Sequence, residues 1–513
     1  MAEVELKFDL APKAHAAFRR LPPLAGTRAR TVRIVSTYFD TPDFELRRRE
    51  MALRLRRAGR RWIQTLKAGR SGAGGLHSRK EWEAERPGPT LDLAALAGTA
   101  LEGSGELGAR LVEAFTVGMR RTTWTVEVSP GNRVEVALDR GEVRHGEAAE
   151  PISEVEIESV AGDPLAVFEF AERLMRAYPG EAAVLVPSAI TKAQRGYRLA
   201  RAEPAGPVRA APAELDGTMA PALAARAIAA AALEQLLANQ PGVLAGTDPE
   251  YLHQFRVALR RMRSCMGVFR AALGSEAAGL RSELRWIGQL AGPARDWDVF
   301  ATATLPVLLR AYGDARVARS MRMRASIRRR AANGALRTAL ASTRWTRLQL
   351  AVAHWLAKPA SAPDEGAESL PQFALRIVRK RYKRLLADAR RLSALTPGER
   401  HALRLDAKKL RYALDGLAPI FRRKGVARWL DALSELQDDL GGANDAAVAA
   451  RLLTEISPPA GFAQFSRGWF AAQEHASAAG VERHARGLEA VPKLKLRAEA
   501  RTSQEDAALR PRP

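Results

Sequence analysis

Glu3-Val4-Glu5-Leu6-Lys7 stands at the start of the chain. On an extended strand its three charged side chains point to one face, because side chains alternate with a period of two. Taken alone, such a stripe is the solvent face of an edge strand. The same alternation returns at Arg54/Arg56, at Arg79/Glu81/Glu83 and at Glu154/Glu156/Glu158, and four such stripes exceed what solubility requires. Acidic and basic stripes facing each other would line a pocket for metal and phosphate.

Around these stripes the chain is rich in β-branched and alternating runs: Thr31–Phe39, Met51–Arg57, Trp62–Leu66, Thr122–Val128, Arg133–Leu138 and Ile152–Ile157. Pro130-Gly131-Asn132 sits between two of them as a hairpin turn. Many antiparallel strands in residues 1–203 predict a β barrel with flanking helices, the latter near Leu107–Phe115 and Pro164–Ala177. The stretch 204–221, with Pro204, Pro207, Pro212 and Pro221 among Ala and Gly, reads as a linker. Beyond it, Ala, Leu and Arg at helical spacing predict an all-α domain over 222–496. The Pro-, Ser- and Ala-rich stretch Pro359–Pro371 reads as a loop dividing it into halves of about 222–358 and 372–496. Residues 497–513 show no hydrophobic period and read as a disordered tail.

With 513 residues and 47% hydrophobic content the chain is long enough for two cored domains. Its net charge is +24, and the distribution is uneven. Residues 1–203 hold 32 Lys and Arg against 28 Asp and Glu, while residues 204–513 hold 49 against 29. An acidic partner is therefore expected for the second part. Aromatic residues make up 6% of the chain, few for the stacking platforms of a single-strand nucleic-acid binder, so nucleic acid is the weaker expectation. Cys265 is the single cysteine, which excludes intramolecular disulfides and cysteine metal clusters and marks it as a core residue. The most apolar run, Ala227–Leu233, is bounded by Arg226 and Glu234 and is too short to span a bilayer. The start of the chain lacks the basic-then-apolar pattern of an export signal. A cytoplasmic location without a membrane partner is the expectation.

The helical part contains a duplication. His253, Arg256, Arg260, Arg261 and Arg263 are matched by His401, Arg404, Lys408, Lys409 and Arg411, an offset of 148 residues. Positions i, i+3, i+7 and i+10 fall within an arc of about 80° on a helix, so each copy presents a histidine and three cations as one stripe. A second echo, Gly292-Pro293-Ala294-Arg295-Asp296 against Gly441-Gly442-Ala443-Asn444-Asp445, follows at an offset of 149. One basic helix is ordinarily a solvated face. Two in corresponding halves of a bundle would converge on one groove, whose self-repulsion a polyanion would relieve. Arg grips phosphate bidentately and Lys adds a point charge. Asp296 and Asp445 read as N-caps or as ion-pair partners of these arginines.

In order along the chain, Glu3-x-Glu5-x-Lys7, Tyr38-Phe39-Asp40-Thr41, Ala52-Leu53-Arg54-Leu55-Arg56, Thr65-Leu66-Lys67, Arg79-x-Glu81-x-Glu83, Arg121 before Trp124, Glu154-x-Glu156-x-Glu158, and Ser188 with Lys192 and Arg195-Gly196-Tyr197 resemble the CYTH family, the triphosphate tunnel metalloenzymes. The resemblance spans nearly all of residues 1–201. It implies a closed antiparallel barrel whose tunnel binds a triphosphate and a divalent metal. The doubled His-x-x-Arg helix and the two Gly-to-Asp loops resemble the CHAD family, helical domains that often follow CYTH and are associated with inorganic polyphosphate. Two departures are visible: Glu50 stands where the first family usually has a small residue, and Ala291-Gly292-Pro293 is a looser form of the first CHAD loop.

The combination resembles bacterial inorganic triphosphatases. It implies cleavage of inorganic triphosphate to diphosphate and phosphate, catalysed mainly by positioning and electrostatic stabilisation. Arg54, Arg56, Lys67, Arg121, Lys192 and Arg195 are the expected phosphate clamp, with Arg79 as a further phosphate ligand. Glu3, Glu5, Glu154 and Glu156 are the expected ligands for Mg²⁺ or Mn²⁺, which favour hard oxygen donors. Glu81, Glu83, Asp139 and Glu158 are second-rank tunnel residues. Lys7 is either a base or a plain phosphate ligand. His253, Arg256, Arg260 and Arg263, with His401, Arg404, Lys408 and Arg411, are the expected polyphosphate-binding residues, and association with polyphosphate granules is the accompanying expectation. Other readings stay open: a tunnel acting on ATP, thiamine triphosphate or RNA, an adenylyl cyclase, or a polyphosphate-binding protein with a weak or inactive tunnel. The oligomeric state is not legible.

Overall fold

Period-two alternation builds the first part of the molecule. The strands are β1 (Glu5–Leu10), β2 (Arg30–Asp40), β3 (Met51–Ala58), β4 (Arg61–Ala68), β5 (Leu76–His77), β6 (Lys80–Arg86), β7 (Val112–Ser129), β8 (Asn132–His145), β9 (Ala148–Ala161) and β10 (Leu185–Pro187). Helices of nine or more residues are α1 (Ala166–Ala177), α2 (Lys192–Ala200), α3 (Pro221–Ala245), α4 (Pro249–Val268), α5 (Glu276–Val299), α6 (Ala315–Leu340), α7 (Thr343–Ala357), α8 (Leu370–Ala389), α9 (Pro397–Leu417), α10 (Arg423–Glu455) and α11 (Ala460–Gly487). The computed structural model describes residues 4–69, 76–77, 80–102, 105–178, 184–274, 276–359 and 368–497. The chain divides into two compact units, one of Met1–Val208, Leu237–Pro241 and Ala339–Lys358, the other of Arg209–Leu236, Gly242–Thr338 and Pro359–Pro513.

In the first unit the antiparallel strands run in the order β10-β1-β9-β8-β7-β2-β3-β4-β6, with β5 also paired to β1. β5 pairs with β1 near one end of the path, and β6 pairs with β4 at the other end, the curvature expected of a barrel. Residues directly opposite across a ladder share a face. Lys7 lies opposite Glu156, Asp139 opposite both Glu154 and Arg121, Tyr38 opposite Arg54, and Lys67 opposite Glu81. The charged stripes therefore turn to one interior. Outward-facing Phe8, Val136 and Ile157 are fully buried instead, on strands covered by α1.

The helix expected near Leu107–Phe115 is not formed as such: a short helix covers Gly105–Ala109, and β7 begins at Val112. Phe115, Val117 and Met119 turn inward at period two and are buried together, which outweighs any helical preference. One face of the same barrel interior is apolar along part of its length. Ile34, Tyr38, Ala52, Phe115, Val117 and Ile152 form a buried cluster there with Tyr197 of α2. Phe115 stacks on Tyr38 with centroids 4.6 Å apart and meets Tyr197 edge-on at 5.0 Å. Gly196 allows this approach, since a Cβ there would lie 2.1 Å from the Phe115 ring.

Helix α7 belongs to the barrel unit, although its residues were expected in the first half, about 222–358, of the helical domain. Thr346 donates to the Leu185 carbonyl of β10, Arg347 pairs with Glu172 of α1 at 3.1 Å, and His354 stacks on Phe168. Its Trp345 and Trp355 are buried. The Pro-rich segment is tied by Asn239, whose amide exchanges hydrogen bonds with both backbone groups of Val208 at 2.9 and 2.8 Å.

The second unit is helical. Helix α3 is long and apolar enough to cross a membrane by length and composition, contrary to the expectation that no such stretch exists. Half of its most apolar window is buried, Ala224, Ala225 and Ile228 sit in a core with Cys265 and Phe269, and Gln235 bonds Gln254 at 3.0 Å. That is the environment of a core helix. The two Gly-to-Asp segments expected as loops are helical, Gly292–Asp296 inside α5 and Gly441–Asp445 inside α10. Buried Ala291, Ala294 and Trp297 continue the apolar period through the first, and Leu440, Ala446 and Ala449 through the second. Packing overrides the low helix propensity of Gly and Pro. An N-cap role for either aspartate is thereby excluded.

Candidate functional site

Inside the barrel, carboxylate oxygens of Asp139, Glu154 and Glu156 lie within 4.8 Å of one another. Each belongs to a cation as well. Lys7 Nζ reaches Glu154 at 2.8 Å. Lys192 Nζ reaches Asp139 at 2.8 Å and Glu156 at 2.7 Å, and also pairs with Glu154. Arg121 donates two bonds to Asp139 at 2.8 and 2.6 Å and a third to Glu156. Burial opposes charge here, yet Asp139, Glu154 and Glu156 hold the Lys192 ammonium well above the ordinary lysine value, and Lys192 and Arg121 hold Glu156 well below the carboxylate range. Three carboxylates are thus matched by the three cations Lys7, Lys192 and Arg121. Glu5 stands apart from it: burial, reinforced by Glu156, pushes its carboxyl up to about 8.

The opposing wall carries Arg54, Arg56 and Lys67. Lys67 Nζ sits 2.6 Å from Glu81, Arg54 3.6 Å from the same carboxylate, and Thr65 donates to Glu83 at 3.0 Å. The Nε atoms of Arg54 and Arg56 are buried without a hydrogen-bond partner. An unsatisfied buried guanidinium nitrogen is costly unless an anion completes it. Hard carboxylate oxygens on one wall and unsatisfied cationic donors on the other suit a divalent cation with phosphate oxygens. Both Glu154 oxygens lack an aligned hydrogen bond despite their ion pairs, so the cluster retains acceptor capacity for such a cation.

Helix α2 delivers Lys192 to this cluster. Thr191 caps it by accepting from Gln194 N while Gln194 bonds back to Thr191 N, and Tyr197 anchors the far end against Phe115. Lys192 is therefore fixed at the first turn of a helix clamped at both ends.

In the second unit, α4 and α9 bring the two repeats together around a cavity of about 520 Å³. His253, Arg256, Arg260 and Arg263 from the first copy and Arg404 and Lys408 from the second line it. The echo aspartates occupy equivalent positions: Arg256 pairs with Asp296 at 3.4 Å and Arg404 with Asp445 at 3.6 Å. Arg260 stacks 4.8 Å above the Tyr412 ring. Burial, with Arg404 and Arg260 nearby, lowers the Lys408 amine to about 8, and burial likewise lowers Arg256 and Arg404. Burial is the leading cause in each, and the neighbouring cations add to it.

Comparison with known proteins now bears directly on both sites. Residues 1–197 match the CYTH domain and residues 227–454 the CHAD domain. A CYTH domain is followed by a CHAD domain. An inorganic triphosphatase of Haemophilus influenzae is 31% identical over 204 residues, 39% of this chain and 55% of that protein. The chain thus spans about half the length of this curated relative. The crystal structure of the CHAD domain from the plant Ricinus communis is similar at 34% identity and a TM-score of 0.51, covering 57% of this chain and 99% of that one.

Within the CYTH domain, the structure brings together Lys7, Arg121, Lys192, Glu154 and Glu156 as one cluster and raises Asp139 from second rank to its centre. Arg195 lies elsewhere, bonded to Asp9 at 2.9 Å and to Glu150 at 3.3 Å. Glu3 and Arg79 fall outside the described residues, as do residues 498–513 of the expected tail. Arg497, assigned to that tail, bonds the Ile420 carbonyl at 3.0 Å. In the CHAD domain, His401 and Arg411 do not line the groove; Arg411 bonds Gln437 at 3.3 Å. Sequence reading missed Arg295, which lines the groove from within the first echo motif, and Tyr412, which follows Arg411 directly and carried no repeat signal, since Ser264 stands at the matching position.

Proposed function

We propose that the CYTH domain hydrolyses inorganic triphosphate to diphosphate and phosphate with Mg²⁺ or Mn²⁺, and that the CHAD groove binds polyphosphate. The observation that carries the first part is the pairing, on one barrel interior, of the Asp139–Glu154–Glu156 carboxylates with the unsatisfied Arg54 and Arg56 guanidinium nitrogens. Asp139, Glu154 and Glu156 would hold the cation, which when bound would supply charge neutralisation and an activated water. Arg54, Arg56 and Lys67 would bind and orient the phosphate chain and stabilise charge on its oxygens. Arg121 and Lys192 would exchange carboxylate for phosphate partners as substrate enters. The similarity to an inorganic triphosphatase supports this substrate over ATP or thiamine triphosphate. The groove reading is supported by six cationic residues from two repeats facing two aspartates. A phosphate-release screen over triphosphate, ATP, thiamine triphosphate and long-chain polyphosphate, with Mg²⁺ and with Mn²⁺, tests the reading. Fastest release from triphosphate is expected; no metal-dependent release from any of the four would overturn it.

A further inference from the structure

The two CHAD repeats differ where the first buries an aspartate. In the first, Asp298 is 2% exposed and gripped by Arg329 at 2.6 Å and Asn333 at 3.1 Å. At the offset of 149 that relates Asp296 to Asp445, the second repeat has Ala447. This exposed alanine lines a cavity of about 490 Å³. Its walls are largely apolar, with Phe470, Leu392, Leu440 and Val481 among them. Its charged lining sets Arg400, Arg404 and Arg467 against Asp439, Glu474 and Glu482, with His401 beside them. This is where His401, absent from the basic groove, is found.

Arg404 and Asn444 line both this cavity and the groove. A ligand seated in the cavity therefore reaches the cationic stripe through a shared arginine whose Nε is buried without a hydrogen-bond partner. Pockets of this size that bind small molecules combine an apolar, aromatic lining with a few polar groups that fix orientation. Phe470 offers a ring for stacking, and Glu474 and Asn444 offer acceptors for amino groups. A hydrocarbon chain would use neither. We infer that this cavity seats the base of a nucleoside polyphosphate, such as ATP, whose phosphates lie on Arg404 in the groove. Nucleotide and polyphosphate then compete for one cationic surface, so the inference rests on the groove reading for its phosphate half.

The test is displacement of fluorescent long-chain polyphosphate from the full chain, with chelator present to prevent turnover, by ATP and by inorganic triphosphate. ATP carries no more charge than triphosphate, so any advantage belongs to its nucleoside; about a tenfold advantage is expected from burying that body. Ala447→Leu and Ala471→Leu both place bulk in the cavity from exposed positions. Each should erase the advantage while leaving polyphosphate affinity unchanged. Equal displacement by the two ligands, or an advantage that survives both substitutions, overturns the inference. If labelled polyphosphate does not bind, the groove reading fails by itself; direct calorimetric titration of ATP into the parent and Ala447→Leu proteins then decides the cavity, and equal affinities overturn it.

Discussion

In the barrel interior the cations of the central cluster each meet a carboxylate, Lys7 at Glu154 and Lys192 and Arg121 at Asp139, and on the opposing wall Lys67 meets Glu81. In the CHAD groove six cationic residues share Asp296 and Asp445. Burial is common to both, but its electrostatic outcome is opposite: Lys192 and Arg121 are held well above their ordinary values, whereas Lys408, Arg256 and Arg404 are lowered. A self-neutralised site can admit a metal and a phosphate together at little net change of charge. A pre-charged groove gains by binding any polyanion that relieves it.

The largest effect expected from this contrast is at Glu154. Glu154→Gln should lower phosphate release from triphosphate by about a hundredfold or more, and thermal or denaturant unfolding should show a loss of about 3 kcal/mol, because Lys7 and Lys192 keep buried charges with one partner fewer. Wild-type turnover in this variant would break the assignment of the acidic cluster.

Removing charge from the groove should act the other way on stability. Arg256, Arg260, Arg404 and Lys408 replaced together by Ala should abolish binding of long polyphosphate, leave triphosphate hydrolysis near the parental rate and leave the ligand-free protein no less stable. For a partly weakened set of substitutions, the slope of log affinity against log salt should fall by about 0.7 for each phosphate that is no longer neutralised. Unchanged polyphosphate affinity in the quadruple variant, measured by titration over a range of salt, would dissolve the contrast between the two regions.

The smallest effect concerns pH. Lys408 is lowered to about 8 from an ordinary 10.5. Between these values the free folded protein carries fewer protons at this site than the unfolded chain, so its unfavourable contribution to stability is full below about pH 8 and fades as pH rises toward 10.5. Polyphosphate favours the charged amine, so above about pH 8 binding should take up a proton and affinity should decline. Calorimetry in two buffers of different ionisation enthalpy measures that uptake, and Lys408→Met should remove it.

Much of this was legible in the sequence because strands keep a strict period: once Lys7, Arg54 and Glu154 are placed inward, register carries their neighbours with them. Asp139 was placed in the second rank because its same-face acid in β8, Glu135, is four residues away rather than two, and its weight comes from Lys192, 53 residues away on α2. The helical motifs were legible as repeats but not as conformation, since Gly and Pro signal a loop locally while Ala291, Ala294 and Trp297 determine the helix through packing. Glu50 is informative in retrospect. Its φ of +57° is a left-handed conformation that glycine adopts without cost, which gives a physical reason for the small residue usual at that point. Why α7 joins the barrel unit was beyond sequence reading, because Trp345 and Trp355 mark a core without saying whose.

The apolar cluster around Tyr38, Phe115 and Tyr197 has a consequence for traffic. With Tyr197 of α2 among these inward-facing side chains, that stretch of the interior is filled by apolar groups rather than lined by charge. Under the proposed reaction, triphosphate would then be offered by one terminus to the charged stretch, diphosphate would leave by the mouth that admitted it, and bound product would compete with the next substrate.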